Sequence, residues 1–197
     1  MQKPTQAKNA FDGLVRRTSA ALNQLADHVG SAVPAKRIFW EADFSDLTGR
    51  DKDEFRTELA SRFPAKCPTL YSIALGSSVD CELAWHLLNV AKSEKRLARA
   101  YCRVPPFANS HIMYVGSSQK LPHRILEHLG FGSKSTYALN LAHWASELVG
   151  TFTVDAQVYD EVTPEVLCAL EDQLAVEVRP LFGRRGSLGV NAGGRCR

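Results

Sequence analysis

The chain has 197 residues, 45% of them apolar and 23% charged, and a formal net charge of +3. This is the composition of a globular chain able to bury a core, not of a disordered or collagen-like one. No apolar run reaches the ~20 residues a membrane helix needs, and Met1 to Gln6 lacks the apolar core of a secretory signal. A cytoplasmic location with no membrane partner is the expectation. The cysteines Cys67, Cys81, Cys102, Cys168 and Cys196 are odd in number and form no C-x-x-C pair. Reduced thiols are therefore expected rather than a disulfide framework or a zinc site.

In chain order, residues 10 to 29 place Leu14, Ala21, Leu22, Leu25 and Val29 on or near one helical face, and Gly30 offers a stop. Arg37-Ile38-Phe39-Trp40 reads as a short irregular strand. Phe55, Leu59 and Phe63, spaced four apart, mark a second helix from Asp51 that Pro64 ends. Residues 1–66 carry no recognisable chemistry and read as an N-terminal helical arm packed on a core formed by residues 67–197.

The core opens on a strand from Thr69 to Leu75. A helix from Val79 to Tyr101 follows, between Ser77-Ser78 and Pro105-Pro106, with Leu83, Leu87, Val90 and Leu97 on one face. Lys92, Lys95, Arg96 and Arg99 gather toward its end, where they suit either the negative end of a helix dipole or a phosphate backbone. A strand from His111 to Gly116 comes next, then helices over about Leu121–Leu129 and Tyr137–Leu148. A strand over Phe152–Tyr159 and a helix over Pro164–Val178 complete the set, the last with Thr163 as cap before a proline at the first helical position. The alternation implies an α/β (α+β) fold with a small central three-stranded sheet flanked by helices. Between its first two strands lies a helical insert, at about residues 78–104.

Two of the strands carry a central tyrosine: Leu70-Tyr71-Ser72-Ile73 and Ile112-Met113-Tyr114-Val115-Gly116-Ser117-Ser118. Pairing the two would bring the tyrosines together. Arg124 and His128 follow four residues apart, hence on one helical face. An arginine fork suits phosphate because it stays charged and donates two hydrogen bonds; the plainer alternative is an ion pair with Glu127. A histidine can polarise a tyrosine hydroxyl or act as a base near neutral pH. Tyrosine, with an ordinary pKa near 10, becomes a base only where cations favour the phenolate. Glu171 borders the apolar stripe of Val166, Leu167, Leu170 and Leu174, and one carboxylate is enough for a magnesium-like ion that keeps most of its waters.

This order of elements resembles the GIY-YIG nuclease superfamily over roughly residues 69–191, with Tyr114-Val115-Gly116 matching the second half of its signature and Leu70-Tyr71-Ser72 keeping the tyrosine of the first. The resemblance implies a metal-dependent DNA endonuclease in which Tyr71 acts on the attacking water and Tyr114 orients the water or a phosphate oxygen. Arg124 and His128 would complete the catalytic set, Ser117 and Ser118 fit the serine positions, and Glu171 would hold Mg2+ or Mn2+. The family's asparagine position falls on Gly183, and Asn191 would substitute if the Arg- and Gly-rich tail loops back. Restriction endonucleases are the most similar branch, which implies a homodimer for symmetric cutting. Repair or mobile-element nucleases and a catalytically degenerate nucleic-acid-binding module are the alternatives. DNA would lie against Lys92, Lys95, Arg96 and Arg99 of the insert and Arg184 and Arg185 of the tail, with the N-terminal arm as a candidate for selecting it.

Overall fold

A computed structural model of the chain describes residues 13–184. Arg185 and Asn191 lie outside the described residues. The sheet has four strands rather than three, in the order β1-β4-β2-β3 with every neighbour antiparallel. They are β1 (Lys36–Asp43), β2 (Thr69–Leu75), β3 (Ile112–Ser118) and β4 (Thr151–Val158). The added strand is β1, expected as an irregular piece of the arm. It is regular over eight residues because Ile38, Trp40 and Ala42 alternate inward while Phe39 and Glu41 face out, and all eight pair with β4.

The helices are α1 (Leu14–Ser31), the single-turn α2 (Asp46–Gly49), α3 (Lys52–Arg62), α4 (Cys81–Ser93), α5 (Leu121–Leu129) and α6 (Pro164–Val178). Helix α3 starts where a capping box predicts: the Asp51 side chain accepts from the Glu54 backbone and Glu54 reaches back to the Asp51 N–H. Its Phe55 and Leu59 are fully buried in the same core cluster as Trp40, Tyr71 and Ile125. Residues 36–63 thus share one core with the tyrosine strands. Helix α1 stands largely in solvent, with no buried residue and with Leu14, Val15 and Leu22 exposed.

The sheet separates two cores. Tyr71, Ile73 and Leu75 of β2 face the larger one, which α3 and α5 cover, while Leu70 and Val115 face the smaller one under Leu167 and Ala175 of α6. For β2 this follows from strand alternation, since neighbours along a strand point to opposite faces. The helix expected over Val79–Tyr101 ends at Ser93: Lys95, Leu97 and Ala98 adopt left-handed φ values of 50°, 57° and 53°, and Tyr101 then bridges to Ala138. The helix expected over Tyr137–Leu148 is replaced by two 3-10 turns, Leu141–His143 and Ala145–Glu147. Asn140 explains this. It sits at φ 56°, and its side-chain amide donates to the carbonyls of Ala100 and Ala138, a local alternative to helical bonding.

Candidate functional site

Register brings the two tyrosines together. Tyr71 pairs with Gly116 and Ile73 with Tyr114, so Tyr71 and Tyr114 are diagonal neighbours on one face. Their rings stack at 6.2 Å between centroids, 25° from parallel. The glycine between them is required by packing. A Cβ on Gly116 would lie 2.7 Å from the Tyr71 Oη and 2.8 Å from Tyr114 Cε1.

Helix α5 adds Arg124 and His128 to this face. Pro122 in its first turn and a Schellman close at its end fix the helix: Gly130, at φ 110°, donates to Glu127 O, and Phe131 donates to Leu126 O. His128 is fully buried. Its Nδ1 accepts from the Leu139 backbone N–H at 3.3 Å, and its Nε2 lies 2.9 Å from the Tyr71 Oη. A backbone N–H can only donate, so the imidazole carries its proton on Nε2 and donates it to Tyr71. Burial, helped by the nearby Arg124 charge, holds the His128 pKa well below its ordinary value of 6.5. The ring is therefore neutral at pH 7.

Arg124 is held on three sides. It donates to Glu127 Oε2 at 2.7 Å and to the Tyr137 carbonyl at 3.0 Å, and approaches the Tyr114 Oη at 3.4 Å. Burial opposes its charge, yet Tyr71, Glu127 and Tyr114 more than offset this and raise its pKa. Both tyrosines are pushed above their ordinary pKa by burial, against the lowering effect of Arg124. Tyr71 is only 1% exposed, whereas Tyr114 is partly open.

Glu171 belongs to the other side of β3. Ser117 pairs with Leu70 and follows Gly116, so it points toward α6, where its hydroxyl donates to Glu171 Oε2 at 2.6 Å. Burial raises the Glu171 pKa, with Ser117 hydrogen bonding and the charge of Arg184 pulling the other way. The charge of Glu171 acts on both tyrosines, so the two sides of the strand are electrostatically one region. Ser118 accepts from the Lys120 N–H in the turn that follows.

The segment that follows α6 reinforces the β3 edge. Leu181 and Phe182 donate to the carbonyls of Ile112 and Met113. Gly183, at φ 89°, packs against Tyr114, whose Cε2 a Cβ would approach to 2.9 Å. An asparagine at position 183 would collide with Tyr114, so a backbone contact stands where the resemblance leads one to expect an amide. In the insert, Lys92 donates to Cys102 O and Arg99 to Gly132 O and Asn140 Oδ1. Both side chains thus have partners among the main-chain or side-chain oxygens of the fold. Lys95 and Arg184 are exposed, and Arg96 is half-exposed beside Glu94.

Sequence reading does not single out Gly116 as a spacer, the Leu139 N–H or the Tyr137 carbonyl, none of which has a local signal. Glu127 does have one, lying three residues after Arg124 on the same helix, and the structure makes it a fastener of that guanidinium. No family of proteins, no curated protein and no solved structure matches the chain. Among the described residues no helix is long and apolar enough to cross a membrane, and no group of three or more His, Cys, Asp or Glu gathers as a metal site.

Proposed function

We propose that the chain is a metal-dependent endonuclease of the GIY-YIG kind that hydrolyses a DNA phosphodiester. The observation that carries the reading is the convergence of Tyr71, Tyr114, Arg124 and His128, from two strands and a helix, into one hydrogen-bonded cluster. Arg124 is the cation for a phosphate: it holds its charge and has a partly exposed guanidinium beside the more open tyrosine. Donors placed where negative charge builds on phosphoryl oxygens are worth most when they are fixed beforehand, and Glu127 and the Tyr137 carbonyl fix this one.

The two tyrosines divide the work differently from the family expectation. Tyr71 is enclosed and accepts from a neutral His128, so it does not face the attacking water; it is a positioning residue, with His128, for the ring stacked on it. Tyr114 takes the role next to the water, its hydroxyl beside Arg124. Hydrolysis forms a bond from the water oxygen to phosphorus, breaks the bond to the leaving sugar oxygen and returns a proton to that oxygen.

Among the described residues, the place we assign to a divalent ion such as Mg2+ or Mn2+ is the Glu171 carboxylate. It is half-buried and makes no ion pair among the described residues. A single carboxylate suffices for an ion that takes its remaining ligands from water and substrate phosphate. Once bound, such an ion supplies positive charge at the phosphate and a more acidic water.

The test is magnesium- or manganese-dependent nicking of supercoiled plasmid by the purified chain, in parallel with Tyr114→Phe, Arg124→Ala and Glu171→Ala. Loss of nicking in all three with melting unchanged supports the reading; equal nicking by all three ends it. A second reading, a DNA-binding module without cleavage, draws on Gly183 in place of the asparagine and on the enclosure of Tyr71. Salt-sensitive DNA binding with no cut under either metal would favour it. Restriction, repair and mobile-element roles share this chemistry, and a homodimer would pair two such sites for double-strand cutting.

A further inference from the structure

The loop from Gly132 to Leu139, which joins α5 to the 3-10 turns, is built more firmly than a connecting loop needs to be. The insert braces it along its length. Arg99 donates to the Gly132 carbonyl at 3.2 Å, the Ala100 N–H donates to Lys134 O at 2.7 Å, and the Cys102 N–H donates to Ala138 O at 3.0 Å. Tyr101 forms a parallel bridge with Ala138, and the Asn140 amide ties Ala100 to Ala138. Within the loop, Thr136 N–H donates to Ser133 O, and the hydroxyls of Ser133 and Ser135 lie 2.9 Å apart. Gly132 lets the chain run close over Glu127, whose Cγ a Cβ there would approach to 2.9 Å.

The rigid loop presents an aromatic ring to solvent. Of the chain's tyrosines, Tyr71, Tyr101 and Tyr159 are at most 3% exposed, whereas Tyr137 is 71% exposed. The residue is not remote from the site: its carbonyl accepts from Arg124 Nη2 at 3.0 Å. Lys134 on the same loop is exposed as well. A braced loop, an open ring and the guanidinium assigned to phosphate are thus one unit.

We propose that Tyr137 is a stacking platform for a nucleobase flanking the phosphodiester that Arg124 holds, and that the insert's role is to brace this platform. The inference rests on the nuclease reading and deepens it. Base–aromatic stacking tolerates any sequence because every base has a π-face, which suits a ring supported by main-chain bonds rather than by base-reading side chains. The ring supplies contact area at little entropic cost, since the loop that carries it is already ordered.

The experiment measures binding of a fluorescein-labelled single-stranded oligonucleotide and of its duplex to the full chain, without divalent ions so that nothing is cut, across a salt series. Tyr137→Ala should weaken single-strand binding on the order of ten-fold, in line with ~1–3 kcal/mol per stacked base. Tyr137→Phe should stay within about two-fold of wild type because it keeps the π-face. The salt slope should be the same in all three, since no phosphate contact is removed. Unchanged binding by Tyr137→Ala overturns the platform and leaves the nuclease reading standing. An equal loss in Tyr137→Phe overturns it too, because that would make the hydroxyl and not the ring the contact. A wild-type chain that binds neither probe and nicks no plasmid removes the reading underneath.

Discussion

The two sides of β3 are built on opposite principles. On one side, Tyr71 and His128 are sealed from solvent, each hydrogen-bonded inside the protein, and Tyr114 and Gly116 leave no spare volume around them. On the other, Glu171 is half-open, held by one hydroxyl and disfavoured as an anion by its burial. The contrast separates fixing geometry from receiving a ligand. The sealed side sets a tautomer and a ring position, whereas the other side has a carboxylate whose burial raises its pKa more than its hydrogen bond from Ser117 lowers it.

The strongest way to test this division is through Arg124, which lies with the tyrosines on the first side, bonded to Glu127, Tyr114 and the Tyr137 carbonyl. Arg124→Ala should lower the nicking rate by ~100- to 1,000-fold, the usual effect of removing one preorganised donor to a developing charge. Melting temperature and nicking rate measured on the same preparation check that the loss is not unfolding. Charge reversal of Arg96, an expected DNA contact half-exposed beside Glu94, should weaken DNA binding with a smaller loss of rate.

The sealed side is tested by volume. Gly116→Ala puts a methyl within 2.7 Å of the Tyr71 Oη, and overpacking of this kind costs roughly 1–3 kcal/mol. Denaturant unfolding should show the loss.

Acid gives a smaller and graded effect. His128 has its folded pKa depressed by burial and by Arg124, so it contributes nothing adverse above its unfolded pKa of about 6.5. As pH falls below that value, the unfolded chain takes up a proton that the folded one refuses, and stability should drop by up to ~1.4 kcal/mol per pH unit. His143, lowered in the same direction by burial, adds to the slope. Unfolding free energy measured from pH 7 down to 5 checks this; His128→Gln should flatten the curve, and an unchanged slope would mean that the ring already titrates freely in the folded state.

Glu171→Gln gives the smallest effect on stability and the sharpest contrast. With its folded pKa raised, the Glu171 charge costs stability above its ordinary carboxyl range, a cost absent once it is protonated at low pH. Removing the charge should raise the melting temperature slightly at neutral pH while abolishing nicking, the trade expected where function holds a group in an unfavourable state. Added Mn2+ should raise the melting temperature of the wild type but not of this variant.

Much of the frame is legible in the sequence because its signals are local. The bounds of β2 and α6 follow from an apolar run of strand length and from Thr163 capping before Pro164, and Tyr114, Arg124 and His128 meet because strand register and a four-residue helical spacing are short-range facts. What escapes depends on distant partners. The alternation of β1 is hidden by an outward Phe39, 56% exposed, and only pairing with β4 selects which face is buried. The helix expected across Asn140 fails because Ala100, 40 positions away in sequence, offers its carbonyl to the side chain. Likewise, nothing local says that Ser117 directs Glu171 to the α6 side of the strand, since one residue of register reverses the face.

The most direct measurement is therefore anomalous diffraction from crystals of the chain grown with Mn2+ and a short DNA duplex. The account predicts a manganese peak in contact with the Glu171 carboxylate and a backbone phosphate in contact with Arg124, beside the Tyr114 hydroxyl. Manganese bound elsewhere, or a phosphate backbone that passes over another surface and leaves Arg124 with its protein partners, would contradict it.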